Sequence, residues 1–106
     1  MRQLIGTLET IGNSPIKDGA KLILKNRYGW PISDVDDGDI VPRETAIMPS
    51  ETGYFEVFVQ CTERFSDGRY YQLEFPKTSN ISPIRLFIPD GDGPINFLEC
   101  MAAFVP

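Results

Sequence analysis

The chain contains no histidine, and only two cysteines and one tryptophan, among its 106 residues. Without histidine, Ser-His and Cys-His nucleophile pairs and His-ligated metal chemistry are excluded together. Cys61 and Cys100 stand far apart; they permit one disulfide without requiring it, and their spacing is not that of a zinc site. No run approaches the about 18 apolar residues that a membrane-crossing helix needs. Met1-Arg2-Gln3-Leu4-Ile5-Gly6 starts as a cationic leader starts, but Thr7, Glu9 and Thr10 interrupt it before an apolar region develops. No secretion signal is therefore read here, and reduced, partly buried thiols are the expectation. Positive charge is also scarce. Ten Lys and Arg face fifteen Asp and Glu, for a net charge of −5 and a pI near 4.6. That balance argues against a nucleic-acid partner, whose phosphates are neutralised by Lys and Arg. The densest basic group, Lys21, Lys25 and Arg27, falls on one face of a strand by its odd numbering and is expected to be solvated. Acidity here serves solubility or pairing with a basic protein surface.

What is present describes one folded domain spanning residues 1–106, 42% hydrophobic and 24% charged, long enough to bury a core without disulfides. Its clearest segment is Thr52 to Gln60, a turn signal feeding a strand. Phe55, Val57 and Val59 alternate with Tyr54, Glu56, Phe58 and Gln60, and aromatic and β-branched residues suit a pleated surface. Arg2 to Glu9 reads as a first strand with Leu4 and Leu8 on one face and Gly6 as a weak point or bulge. The turn-rich stretch to Asp18-Gly19 leads into Ala20 to Tyr28, with Ala20, Leu22 and Leu24 toward the core. A helix competes for Gly19 to Arg27, because Lys, Leu and Ala favour it, but the short length and the flanking Gly and Pro favour a strand. Glu44 to Met48 is a short strand, placed at an edge by Pro42 and Pro49. Asp67-Gly68 is a hairpin signal before Arg69 to Phe75. There Tyr71, Leu73 and Phe75 share one face, and Tyr70, Gln72 and Glu74 the other. Pro83 to Pro89 follows, with Ile84, Leu86 and Ile88 alternating. Residues 95–106 form an apolar tail in which Ile95, Leu98 and Met101 or Ala102 recur at helical spacing, which predicts a short amphipathic helix or turn.

Residues 30–43 read as a long acidic loop. Asp34, Asp36, Asp37 and Asp39 offer hard oxygen ligands, but the EF-hand pattern fails: Gly38 occupies the fifth position of a loop begun at Asp34, and Thr45 stands at the twelfth where a Glu is needed. A weak calcium site competes with a solvated turn. Trp30 serves either as a sugar platform or as a plug at the end of a sandwich. Cys61, with Arg64 as its one nearby cation, reads as an ordinary thiol.

Leu4-Ile5-Gly6-Thr7-Leu8, the turn with Pro15 and Asp18-Gly19, Ala20-Lys21-Leu22-Ile23-Leu24 and Pro49-Ser50-Glu51-Thr52-Gly53-Tyr54-Phe55-Glu56-Val57 resemble prealbumin-like modules. These include carboxypeptidase regulatory-like domains and modules of bacteriophage tail fibres and other virion proteins. Tyr70 to Pro76 and Ile84 to Pro89 resemble the two proline-terminated strands that close many phage examples. The resemblance spans most of residues 4 to 89 and implies no catalytic residue; no cofactor is expected apart from the weak calcium site. The acidic loop and the tail depart from it.

The expectation is therefore an all-β antiparallel sandwich, prealbumin-like or immunoglobulin-like, of about seven strands with a short C-terminal helix or turn. In a two-layer sandwich the outer faces are mostly polar, and Phe58, Phe87 and Tyr70 are not. Together with Phe97, Leu98, Met101 and Phe104 of the tail, they are the candidate partner contacts of a non-enzymatic module in a virion or cytoplasmic assembly. Its partners would be copies of itself or other assembly subunits, with neither membrane nor nucleic acid. The alternative is a carbohydrate- or calcium-dependent binding module using Trp30 and the acidic loop.

Overall fold

Alternation of apolar and polar side chains along short runs builds two facing sheets. The computed structural model describes residues 1–10 and 12–101. Its strands are β1 (Arg2–Thr7), β2 (Ala20–Lys25), β3 (Asp34–Asp36), β4 (Asp39–Val41), β5 (Glu44–Ile47), β6 (Tyr54–Val59), β7 (Tyr70–Glu74), β8 (Ile84–Leu86) and β9 (Ile95–Asn96). Short 3-10 helices occupy Thr62–Arg64, Lys77–Ser79 and Phe97–Cys100. One layer has the order β6-β1-β9, the other β5-β2-β7-β8, and β3 and β4 form a separate two-stranded ribbon. The chain is an all-β sandwich, as its alternation predicts.

The core lies between the layers. Leu4, Phe55 and Val59 from the smaller sheet meet Leu22, Leu24, Leu73 and Leu86 from the larger one, all fully or almost fully buried. Burying each such side chain contributes about 1.5–3 kcal/mol. Ala20, Leu22 and Leu24 point inward from β2, so the strand prevails over the competing helix there. β1 pairs with β6 antiparallel from Arg2↔Val59 to Thr7↔Tyr54. Gly6 stays in that register opposite Phe55 and is no bulge. It is small because the Phe97 ring lies over it, where a Cβ would collide.

Four expectations are corrected. Asp67-Gly68 turns the chain but closes no hairpin, because β6 and β7 belong to different sheets; buried Gln60, Cys61 and Thr62 carry the chain from one layer to the other. Residues 30–43 are not a loop throughout: β3 and β4 pair antiparallel as Asp34↔Val41, Val35↔Ile40 and Asp36↔Asp39. Their two-residue turn, Asp37-Gly38, has φ of 49° and 85°, the twist-matched hairpin geometry. The sandwich is not wholly antiparallel, since β9 runs parallel to β1. The short C-terminal helix or turn is present as expected: after β9 comes a 3-10 helix, whose three-residue turn buries Phe97 and Cys100 and leaves Leu98 and Met101 outside. Tyr70 is buried, although it stands on the outer face of its sheet, because Phe87 packs against it at 6.0 Å between ring centroids. Phe104 lies outside the described residues.

Two glycines fix the join between β1 and β6. Gly53 has φ +86°, and a Cβ there would strike the backbone carbonyl of Leu8. Leu8 N–H itself donates to Gly53 O at 2.9 Å. Gly53→Ala should destabilise the fold by about 1–3 kcal/mol, and by more than Gly6→Ala, whose obstacle is a side chain rather than backbone. Urea unfolding of the two variants checks this. Equal losses, or none at Gly53, would contradict it.

Candidate functional site

The two outer faces of the sandwich differ in chemistry. On the larger sheet, Lys21 pairs with Glu44 at 3.1 Å, Lys25 Nζ donates to Gln72 Oε1 at 2.9 Å, and the Arg85 guanidinium covers the Tyr70 ring at 4.7 Å. That face is a charged and polar lattice, and Phe87 is half-buried within it.

On the smaller sheet the residues opposite the core are Gln3, Ile5 and Thr7 of β1 and Tyr54, Glu56 and Phe58 of β6. The pairs Gln3↔Phe58, Ile5↔Glu56 and Thr7↔Tyr54 set Ile5 diagonally between the two aromatic side chains. Glu56 is bound on both oxygens, by Gln3 Nε2 at 3.3 Å and by Tyr54 OH at 2.8 Å. Its carboxylate raises the pKa of the Tyr54 phenol above the ordinary value through that hydrogen bond. Phe58 remains 62% exposed. At the far edge of this sheet, Leu98 and Met101 are exposed at the rim of an apolar groove of about 590 Å³ that Phe75, Ile81, Ile84 and Phe97 also line.

A polar network ties the β3–β4 ribbon to the sandwich. Asp34 Oδ2 accepts from Arg69 Nη1 at 2.8 Å and from Gln60 Nε2 at 3.0 Å, and Oδ1 accepts from the Val35 N–H at 2.8 Å. Arg69 also grips Asp67 at 2.7 Å and lies 3.9 Å above the Phe65 ring centroid. Hydrogen bonds from Gln60 first, then Val35 and Arg69, hold the Asp34 carboxyl down at about 2. Asp36 is buried, with Oδ1 3.9 Å from Arg64 Nη1 and Oδ2 without a hydrogen-bond partner among the described residues. Arg64 in turn binds Asp90 at 2.7 Å.

The four candidate metal ligands are thus divided. Asp34 and Asp36 face arginines, whereas Asp37 and Asp39 are exposed at the ribbon tip. Among the described residues no three His, Cys, Asp or Glu side chains converge to hold a metal ion. Trp30 is 71% exposed, as is Tyr28; Asn26 Oδ1 accepts both their N–H groups at 3.0 Å and closes that turn. Trp30 is not a plug. Cys61 and Cys100 are free and buried, and burial pushes the Cys100 thiol up to about 11.

Of the candidate contact residues, the structure leaves Phe58, Leu98 and Met101 exposed, half-buries Phe87, and buries Tyr70 and Phe97. The exposed cross-strand pair Val35–Ile40 was hidden in the sequence by the aspartates around it, although alternation from Asp34 to Asp36 was its signal. No family model and no curated protein matches the chain. No helix among the described residues is long and apolar enough to cross a membrane.

Because the folded pKa of Asp34 lies below the ordinary carboxylate value, the stability its ionised form contributes is fully present above about pH 4. It is lost as pH falls through about 2. Asp34→Ala should cost about 1–3 kcal/mol at neutral pH, since Gln60 and Arg69 lose a charged acceptor, and it should flatten the fall in stability between pH 4 and 2. Chemical denaturation across pH measures both effects, and an acid profile identical to that of the parent would contradict the assignment.

Proposed function

We propose that the chain is a non-enzymatic structural and interaction module of a larger assembly, of the prealbumin-like kind that the sequence resembles, in a virion and most specifically in a phage tail. The observation that carries this reading is the asymmetry of the outer faces. The larger sheet covers its outer surface with the Lys21–Glu44 ion pair and the Tyr70–Phe87 ring pair, whereas the smaller sheet leaves Phe58 62% exposed beside Ile5 and Tyr54. A solvated monomer gains nothing from that exposure, and apolar side chains grouped on one face favour a protein partner. Leu98 and Met101 are further exposed apolar side chains, beyond β9, where Met101 bridges Leu86 of the larger sheet. The partner is a second copy or a neighbouring subunit.

A ligand-binding role is the second reading, and the exposed aromatic pair Tyr28 and Trp30 favours it through stacking on a sugar. Light scattering over a wide concentration range, with and without calcium, separates the two. A structural subunit associates as protein concentration rises, independently of calcium. A monomer at every concentration would overturn self-assembly. A rise in melting temperature with a glycan or calcium would favour the ligand-binding role, since a ligand held only by the folded state stabilises it.

A further inference from the structure

Every open sheet has edges, and three of the four edges of this sandwich are protected. β5 is bracketed by Pro42 and Pro49 and carries Glu44, bound to Lys21. β9 is two residues long. β8 is covered from outside by the Leu86↔Met101 bridge and by the Phe87 N–H, which donates to Cys100 O at 2.8 Å. Short strands, prolines, charges and covering segments are the devices that keep edges from pairing with another chain. Of these devices β6 has one charge, Glu56, which is engaged by Gln3 and Tyr54; it is six residues long, contains no Pro, Lys or Arg, and has no covering segment among the described residues.

The ladder phase identifies which backbone groups this edge leaves open. Leu8 N–H donates to Gly53 O at 2.9 Å, one step beyond Thr7↔Tyr54. Hydrogen-bonded pairs recur every second residue in an antiparallel ladder. Phe55, Val57 and Val59 therefore turn their N–H and C=O groups toward β1, and Tyr54, Glu56 and Phe58 turn theirs away. The Tyr54 carbonyl accepts from Ser50 N–H at 2.8 Å. The backbone groups of Glu56 and Phe58 have no partner among the described residues.

We infer that β6 is a homotypic pairing edge, at which a second copy of this chain adds its own β6 antiparallel about a twofold axis through Val57. This inference rests on the assembly role proposed above and names its partner. In that register the Glu56 N–H and C=O bond the C=O and N–H of Phe58 in the second copy, and the symmetric pair does the same, so the open backbone groups of Glu56 and Phe58 are satisfied in both copies. Side chains on each face match in parity: Val57 meets Val57 of the other copy, Phe55 meets Val59, and Phe58 meets Glu56. The competing twofold register, centred on Glu56, sets two carboxylates directly opposite. It also requires the Tyr54 carbonyl, which Ser50 already occupies. The three-stranded sheet would thereby be doubled into one continuous sheet, with the exposed faces of Phe58 on the same side.

The charge across the axis makes the register testable. In the full chain, Phe58→Glu places like charges opposite each other twice, and Phe58→Lys places opposite charges there twice. Sedimentation equilibrium should give a dimer for the parent and for Phe58→Lys, and a monomer for Phe58→Glu, with the two variant dissociation constants separated by about tenfold or more. The same two charges at exposed Thr78 should leave the mass unchanged, and thermal melts establish that each variant is folded. If the parent dimerises but both Phe58 variants do so equally, if both become monomers, or if the Thr78 variants shift alike, β6 pairing is overturned while the assembly role stands. A parent that stays monomeric throughout overturns both β6 pairing and self-assembly, and leaves a neighbouring subunit as the partner of the assembly role.

Discussion

The packing of Phe55 against Phe97 over Gly6 is the contact on which the smaller sheet depends. The two rings lie 5.6 Å apart at 49°, and only the missing Cβ of Gly6 lets Phe97 descend onto β1. That contact joins three elements distant in sequence: β1, β6 and the 3-10 helix that follows β9. Once Phe55 is drawn inward, the period of two leaves little freedom to its neighbours. Val59 joins the core, and Tyr54, Glu56 and Phe58 must face out, so the exposed aromatic surface is a geometric consequence of the core.

A second constraint operates at the polar end of the sandwich. Gln60, fully buried, donates through Nε2 to Asp34 and accepts through Oε1 from Arg69 at 2.8 Å. Its backbone N–H donates to the Tyr71 hydroxyl at 3.0 Å, and burial pushes that phenol up to about 12. The chain thus crosses from one sheet to the other with the buried Gln60 amide paired at both ends and its backbone N–H bonded, as low-dielectric surroundings favour. The same network holds the β3–β4 ribbon by its acidic face and presents Val35 and Ile40 to solvent. Acidic residues that suggest a cation in the sequence serve here in large part as anchors for arginines.

Much of the fold was legible in the sequence wherever alternation was apolar. Leu4 and Leu8, Ala20 to Leu24, Phe55 to Val59 and Tyr71 to Leu73 all face as their spacing indicates. What stayed hidden depended on partners far along the chain. The inward face of β3 is made of aspartates, and it reads as a solvated loop until Arg69, Gln60 and Arg64 are placed beside it. The Asp67-Gly68 turn is a local signal and cannot report that the strands it separates enter different sheets. Tyr70 occupies an outer-face position and is buried only because Phe87 and Arg85 of the neighbouring segment cover it. The tail's short helix or turn was legible in the three-residue spacing of Ile95, Leu98 and Met101, but the strand β9 that precedes it beside β1 was not. For the candidate surface, Phe58 was evident from parity alone, whereas the open edge beside it required the strand order.

The claim on which the rest stands is that β6 is bonded on one side only, with its odd-numbered residues held by β1. Residue-resolved amide hydrogen exchange, in dilute protein where association is minimal, tests it directly. The amides of Phe55, Val57 and Val59 should be strongly protected, while those of Glu56 and Phe58 exchange rapidly. Uniform protection along β6 would contradict the open edge, and fast exchange at Val57 would contradict the register with β1.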